Sequence, residues 1–462
     1  MTTPRLQLDE IPYREDASTL FETLRQRPGA AWLDSAQPAA SGGRYDIMVA
    51  DPMPDCPRAP AANAQAAAWR SWLEDLKAFH SQHWGNYPPT DPPLPFCGGL
   101  LGYLGYEAGS ALEGVAVPCQ APGEVAAPVA QVQGYRWCVV QDHLLRRALL
   151  VSQSALPASE KAGLLRALQA APTQPPRALA PGFALQRRFE PTRNRQWYRQ
   201  AFERIQDYIH AGDCYQVNLA QRFTAACEGD PWLAYQTLRR VAAAPFSAFI
   251  SLDQQDALLC LSPERFLSLQ RHQVETRPIK GTRPRHPDAA EDLRSAQSLK
   301  NSTKDRAENL MIVDLLRNDL GRNCLPGSIR VDALFALESY PTVHHLVSTI
   351  RGELAPGRHA LDLLRDSFPG GSITGAPKHR AMQIIAELEA CPREAYCGSV
   401  FYLSADGRMD SNIAIRSLLC QDGELRCWGG GGIVADSQAD AEYQETLDKV
   451  GRLLAALEER FL

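Results

Sequence analysis

Two Asp-Gly dipeptides, Asp406-Gly407 and Asp422-Gly423, each stand between apolar runs near the C-terminal end of the chain. This is the strongest short-range signal for a β-hairpin, because Asp and Gly tolerate the left-handed backbone that tight hairpin turns demand. Hairpins join antiparallel strands, so a purely parallel, doubly wound fold is excluded. Residues 246–275 alternate as paired strands broken at Ser262-Pro263, and residues 96–106 and 134–151 are also strand-like. Helical spacing recurs at Trp69, Trp72, Leu73, Leu76 and Phe79, and again at Tyr198, Ala201, Phe202, Ile205 and Ile209. Helices interleaved with hairpins predict an α/β chain of the α+β type, built on antiparallel sheets.

The chain has 462 residues, 45% of them hydrophobic, enough for a core larger than one typical domain supplies. Residues 159–170 read as a short helix. The Pro/Ala-rich stretch 171–182 reads as a linker, since repeated prolines sustain neither a helix nor a central strand. The expected division is an N-terminal region, 1–185, and a catalytic region, 186–462. Net charge is −5 with both signs mixed, and no polybasic run points to nucleic acid. The N-terminus shows no apolar targeting segment and no stretch is long enough to span a bilayer, so the expectation is a soluble cytoplasmic protein. The twelve cysteines are scattered without a Cys-x-x-Cys pair, mostly in apolar runs, and read as buried hydrophobes.

Several residues carry candidate chemistry. Lys280 sits between Pro278 and Gly281, a frame that lets a small molecule approach its amine, although a surface turn explains the same residues. Asp305 and Glu308 are three apart on a predicted helix, and Glu442 and Glu445 repeat the spacing at the start of another, whose cap is expected at Asp436 or Ser437. Facing one another, four carboxylates need a cation, and an all-oxygen set suits Mg²⁺; apart, they are ordinary first-turn acids favoured by the helix dipole. Glu264, at a strand end, can serve as a buried general acid or pair with Arg265 or Arg277. The Gly429–Gly432 run can offer backbone N–H groups to a carboxylate, or simply mark a loop. Arg416, read as part of an apolar strand, needs a carboxylate from protein or ligand. His345 can move a proton or play a structural part.

Taken in order, these segments resemble the chorismate-binding enzymes from about residue 190 to the C-terminus, and the 96–107 segment extends the likeness into the N-terminal region. Pro278-Ile-Lys-Gly-Thr282, with lysine where anthranilate-forming members carry alanine, points to the branch that makes 4-amino-4-deoxychorismate for folate synthesis. Ser372-Ile-Thr374 agrees, and Gln216 stands where isochorismate-forming members have a lysine. The resemblance implies an antiparallel two-sheet β-sandwich with helices outside. It implies Lys280 as nucleophile at C2, Glu264 as general acid and His345 as a further catalytic residue. Gln216, Thr282, Ser372, Thr374, Arg416, Gly430, Gly431 and Gly432 would bind substrate. Glu308 and Glu445 would hold Mg²⁺ directly, with Asp305 and Glu442 acting through water. Ammonia would come from a separate glutamine amidotransferase subunit in a heterodimer, since no Gly-x-Cys-x-Gly nucleophile elbow occurs in the chain. Some members hold tryptophan in an N-terminal pocket, which here would involve Ser35, Arg44, Pro245 and Phe246. The alternatives are anthranilate synthesis and a non-catalytic subunit binding chorismate or tryptophan; the second is disfavoured because no expected catalytic residue is missing.

Overall fold

The computed structural model describes residues 6–39, 43–85, 87–90, 93–117, 127–173, 182–253, 255–340, 343–389 and 391–462. The heart of the expected linker, residues 174–181, lies outside them. Two antiparallel sheets face each other. The larger runs from Leu6–Ile11 at one edge, through Arg147–Gln153, Trp137–Asp142, Tyr45–Val49 and Ala31–Asp34, into Phe246–Ser251 and Ala257–Ser262. It continues through Ser417–Gln421 and Glu424–Ile433 to the long strand Gln216–Gly229. The smaller sheet contains Ile279–Pro284, Val343–Glu353, Gln273–Thr276, Arg265–Gln270, Met409–Asn412, Ser399–Ser404, Gly99–Leu104 and Ala130–Tyr135. Strands from before and after the Pro-rich stretch therefore enter both sheets.

Period-2 alternation explains how the larger sheet is buried on both faces. Ala31, Ile47, Val49, Val140, Val151, Leu258 and Leu419 point inward against Leu101, Tyr103, Leu267 and Leu403 of the smaller sheet. Their neighbours Trp32, Met48, Val139, Leu150, Phe249, Leu259 and Leu418 point outward. There they meet Trp232, Tyr235 and Leu238 of the helix Pro231–Ala242 and Leu453 and Leu457 of the helix Ala439–Phe461. Both Asp-Gly sites form hairpins, with Gly407 and Gly423 at φ +83° and +73°. The helices Ala66–Trp84, Ala158–Gln169 and Arg195–His210 stand where the spacing put them.

Three local expectations are corrected. The glycine run lies within the strand Glu424–Ile433, paired with Gln216–Gly229, and is not a loop. Its glycines let other groups come close: a Cβ on Gly429 would fall 2.4 Å from the Thr446 carbonyl oxygen, and one on Gly432 would fall 2.7 Å from the Gln216 amide nitrogen. Arg416 lies between the strands Met409–Asn412 and Ser417–Gln421, with φ +51°, a left-handed conformation that costs a branched or long residue energy and often marks a functional position. The C-terminal helix is capped at Gln438, without a side-chain bond, because the Ser437 hydroxyl is already engaged with Glu442 Oε1 (2.6 Å) and the Val434 N–H (3.1 Å).

Candidate active site

The helix Thr303–Gly321 begins where the Ser302 hydroxyl accepts the Asp305 N–H (3.2 Å), and its first turn aims Asp305 and Glu308 at a cavity of about 550 Å³. Glu442 and Glu445, on the first turns of the helix Ala439–Phe461, line the same cavity. Glu264, Lys280, Thr282, His345, Ser372, Arg416, Gly430 and Gly432 line it too. Residues far apart in the chain thus meet because strands from both sheets and two helix N-termini converge here.

Lys280 projects from the strand Ile279–Pro284, and its Nζ donates to the Ser372 carbonyl oxygen (3.0 Å). Burial pushes its pKa down; the carboxylates of Glu264 and Glu308 oppose that shift and Lys449 reinforces it. Glu264 is 5% exposed. Burial raises its pKa, against the pull of Lys280, and its Oε1 accepts from the Ser372 hydroxyl (3.2 Å). Neither sequence-level partner binds it: Arg265 pairs with Asp410 and Glu275, and Arg277 with Glu338. An amine driven toward neutrality and an acid driven toward protonation, in one desolvated space, is the arrangement that nucleophilic and general acid chemistry requires.

The other groups divide the cavity's work. The Arg416 side chain makes no hydrogen bond or ion pair among the described residues, and burial followed by the charge of Arg452 lowers its pKa. A buried guanidinium without a carboxylate is suited to an incoming anion. His345 shares a 2.9 Å hydrogen bond between Nδ1 and the Thr282 hydroxyl. Burial, then the Arg416 charge, lowers its pKa to about 4, so it is neutral at physiological pH.

The four carboxylates are partly compensated by basic side chains. Lys304 Nζ lies 3.9 Å from Glu308 and 3.7 Å from Glu442, Arg283 pairs with Asp305 (2.9 Å), and Lys449 pairs with Glu445 (2.7 Å). Burial raises the Glu308 pKa; burial acts likewise on Glu445, but Lys449 outweighs it and holds that group low. Among the described residues no three acids or other ligating side chains converge on one point. The donor set nevertheless fits a hard divalent cation: it is all oxygen, sits on two helix starts and borders one cavity.

Two side chains expected at the substrate do not line the cavity. Gln216 is fully buried behind Gly432, with neither amide atom hydrogen-bonded. Thr374 spends its hydroxyl on the Gly370 carbonyl (3.0 Å), whereas Gly431 faces Glu442 and Glu445, which line the cavity. Sequence reasoning missed Lys304, Lys449, Asn218, Tyr396 and Trp428, all of which line the cavity. The two lysines carried a usable signal, the i,i+4 spacing of Lys304 from Glu308 and of Lys449 from Glu445.

A second cavity, about 320 Å³, is lined by Arg44, Tyr45, Pro245, Phe246, Arg265 and Asp410 among others. Arg44 is anchored to Asp142 (2.8 Å) and lies over the Tyr45 ring. Ser35 stands aside, its hydroxyl and N–H both donated to Asp46.

Residues 32–455 match the family described as chorismate binding enzyme, and the chain belongs to that family. Within it, the chain is 47% identical to aminodeoxychorismate synthase component 1 of Klebsiella aerogenes, over 97% of this chain and 98% of that one. It is 44% identical to the Escherichia coli K12 protein of the same name, over 96% and 97%. The crystal structure of anthranilate synthase component I from Streptococcus pneumoniae superposes with a TM-score of 0.75 at 28% identity, covering 90% of this chain and 93% of that chain. The two-sheet fold expected from the resemblance is thus the fold observed. No helix among the described residues is long and apolar enough to cross a membrane.

Proposed function

We propose that this enzyme converts chorismate and ammonia to 4-amino-4-deoxychorismate. The observation that carries the reading is the pairing of Lys280 and Glu264 across Ser372, with burial pushing the amine down and the acid up. Arg416, without a side-chain partner among the described residues, receives a substrate carboxylate, assisted by the N–H groups of the glycine strand. Lys280 attacks C2 as both ring double bonds shift and the C4–O bond breaks, and Glu264 gives its proton to the departing hydroxyl, which leaves as water. Ammonia then bonds to C4, the double bonds shift back and the lysine amine leaves C2. His345, neutral and held by Thr282, orients substrate beside Arg416. Glu308 and Glu445 would hold Mg²⁺, with Asp305 and Glu442 acting through water. When bound, the metal would draw electron density from the ring through its carboxylate.

The relatives' designation as component 1 supports a second component, which we take to be a glutamine amidotransferase delivering ammonia in the cytoplasm. The second cavity is the proposed tryptophan site: Arg44, Pro245 and Phe246 line it, and both aromatic and charged side chains border it. The test of the reaction is purified protein with chorismate, Mg²⁺ and ammonium at alkaline pH, products separated by mass. A product retaining the enolpyruvyl group is expected; anthranilate plus pyruvate would overturn the assignment in favour of the anthranilate reaction.

A further inference from the structure

Ser372 touches both reacting side chains through different atoms. Its carbonyl oxygen accepts from Lys280 Nζ (3.0 Å), and its hydroxyl donates to Glu264 Oε1 (3.2 Å). The segment around it is fixed from below. Arg393, 1% exposed, donates to the Ile373 carbonyl (2.9 Å) while bonded to Glu389, and the Asn218 N–H donates to the Thr374 carbonyl (2.9 Å). The Thr374 hydroxyl closes the turn onto Gly370 (3.0 Å). A residue held this tightly, with its carbonyl and its hydroxyl bonded to the two reacting side chains, is placed to fix their relative position.

The geometry points to Ser372 as a positioning residue that sets the separation and orientation of nucleophile and general acid, rather than as a substrate ligand. This deepens the proposed reaction and rests on it. The carbonyl directs one Lys280 hydrogen away from the cavity, which turns the lone pair of the neutral amine toward the substrate. The hydroxyl fixes one Glu264 oxygen, leaving the other to carry the proton that the leaving group takes. The hydroxyl also stabilises the ionised form of Glu264, so its removal favours the protonated form.

The experiment compares wild type, Ser372→Ala and Ser372→Thr, with ammonium as nitrogen source, across pH. The alanine variant keeps the carbonyl contact and loses only the hydroxyl. A positioning role predicts a kcat lower by about tenfold, a share of the 10²–10⁴ that general acid catalysis supplies. It also predicts KM for chorismate within about twofold of wild type and the alkaline limb of the pH profile, where Glu264 loses its proton, moved upward. Threonine, which retains the hydroxyl, restores the limb. A raised KM with kcat and limb unchanged, or full activity in the alanine variant, overturns the inference while leaving the reaction intact. Wild-type protein that forms no aminodeoxychorismate overturns the reaction and this inference together. Equal melting temperatures for the three proteins exclude misfolding as the cause of a lower rate.

Discussion

Replacing Arg393 with methionine tests how firmly the catalytic segment is anchored. The guanidinium is buried and satisfied on every side: it donates to both Glu389 oxygens (2.6 and 2.8 Å), to the Ile373 carbonyl (2.9 Å) and to the Asn218 carbonyl (3.0 Å), and it lies over the Tyr106 ring. Methionine fills similar space but leaves the Glu389 carboxylate, 6% exposed, with only the Ala220 N–H (2.8 Å) as a donor among the described residues. Breaking one side of a buried ion pair costs about 3–5 kcal/mol, mostly the penalty of the stranded charge. Unfolding entropy near 60 °C is about 2.1 cal/mol/K per residue, which for a chain of this length is about 1 kcal/mol/K. The expected fall in melting temperature is therefore about 3–5 °C. Adding Glu389→Leu removes the stranded charge and should recover most of that loss, because well-packed apolar replacements of buried pairs are often neutral. Thermal unfolding of the single and double variants measures both. A single variant within about 1 °C of wild type, or a double variant no better than the single, would refute the desolvation argument.

Three further outcomes are expected. Glu264→Gln, which keeps an acceptor for Ser372 but holds no transferable proton, should lower kcat by about 10²–10⁴ with chorismate binding retained; steady-state rates within tenfold of wild type would remove Glu264 as the acid. Lys304→Met should tighten Mg²⁺ binding about two- to fivefold by calorimetry, since a half-exposed lysine competing for Glu308 and Glu442 is worth under about 1 kcal/mol, and weaker binding would show that it helps to build the site. His345 binds its proton at about 4 in the folded state against an ordinary value near 6.5, so between those pH values the unfolded chain holds more protons and stability is lost as pH falls. The loss reaches up to about 3 kcal/mol below pH 4, and His345→Gln should flatten urea-unfolding stability over that window; unchanged curves would refute the assignment.

Periodicity and turn chemistry made much of the architecture legible. Asp422-Gly423 announced its hairpin because the turn is local, and Trp69 to Phe79 announced a helix because one face is uniformly apolar. Arg416 was misplaced for the opposite reason: its left-handed backbone is set by the strands on either side, not by its own sequence. The glycine run was ambiguous because close approach by Thr446 and Gln216 is a tertiary fact. Family motifs led to Lys280, Glu264 and the acids; the i,i+4 spacing of Lys304 and Lys449 from acids was legible, but their place at the cavity followed only from the two helix starts coming together. Gln216 and Thr374 matched the family pattern, but Gln216 is buried behind Gly432 and Thr374 bonds Gly370, packing that no linear motif records.

The sharing of strands between the two halves has a consequence for synthesis on the ribosome. Leu104 pairs with Ser399 and Trp32 with Phe249, so early strands wait for partners made much later. Contacts of such long sequence separation slow folding, and the emerging N-terminal half exposes unpaired β-edges in the meantime. Truncations near residue 185 should therefore yield aggregating fragments, and chaperone supply during expression should govern how much active enzyme accumulates.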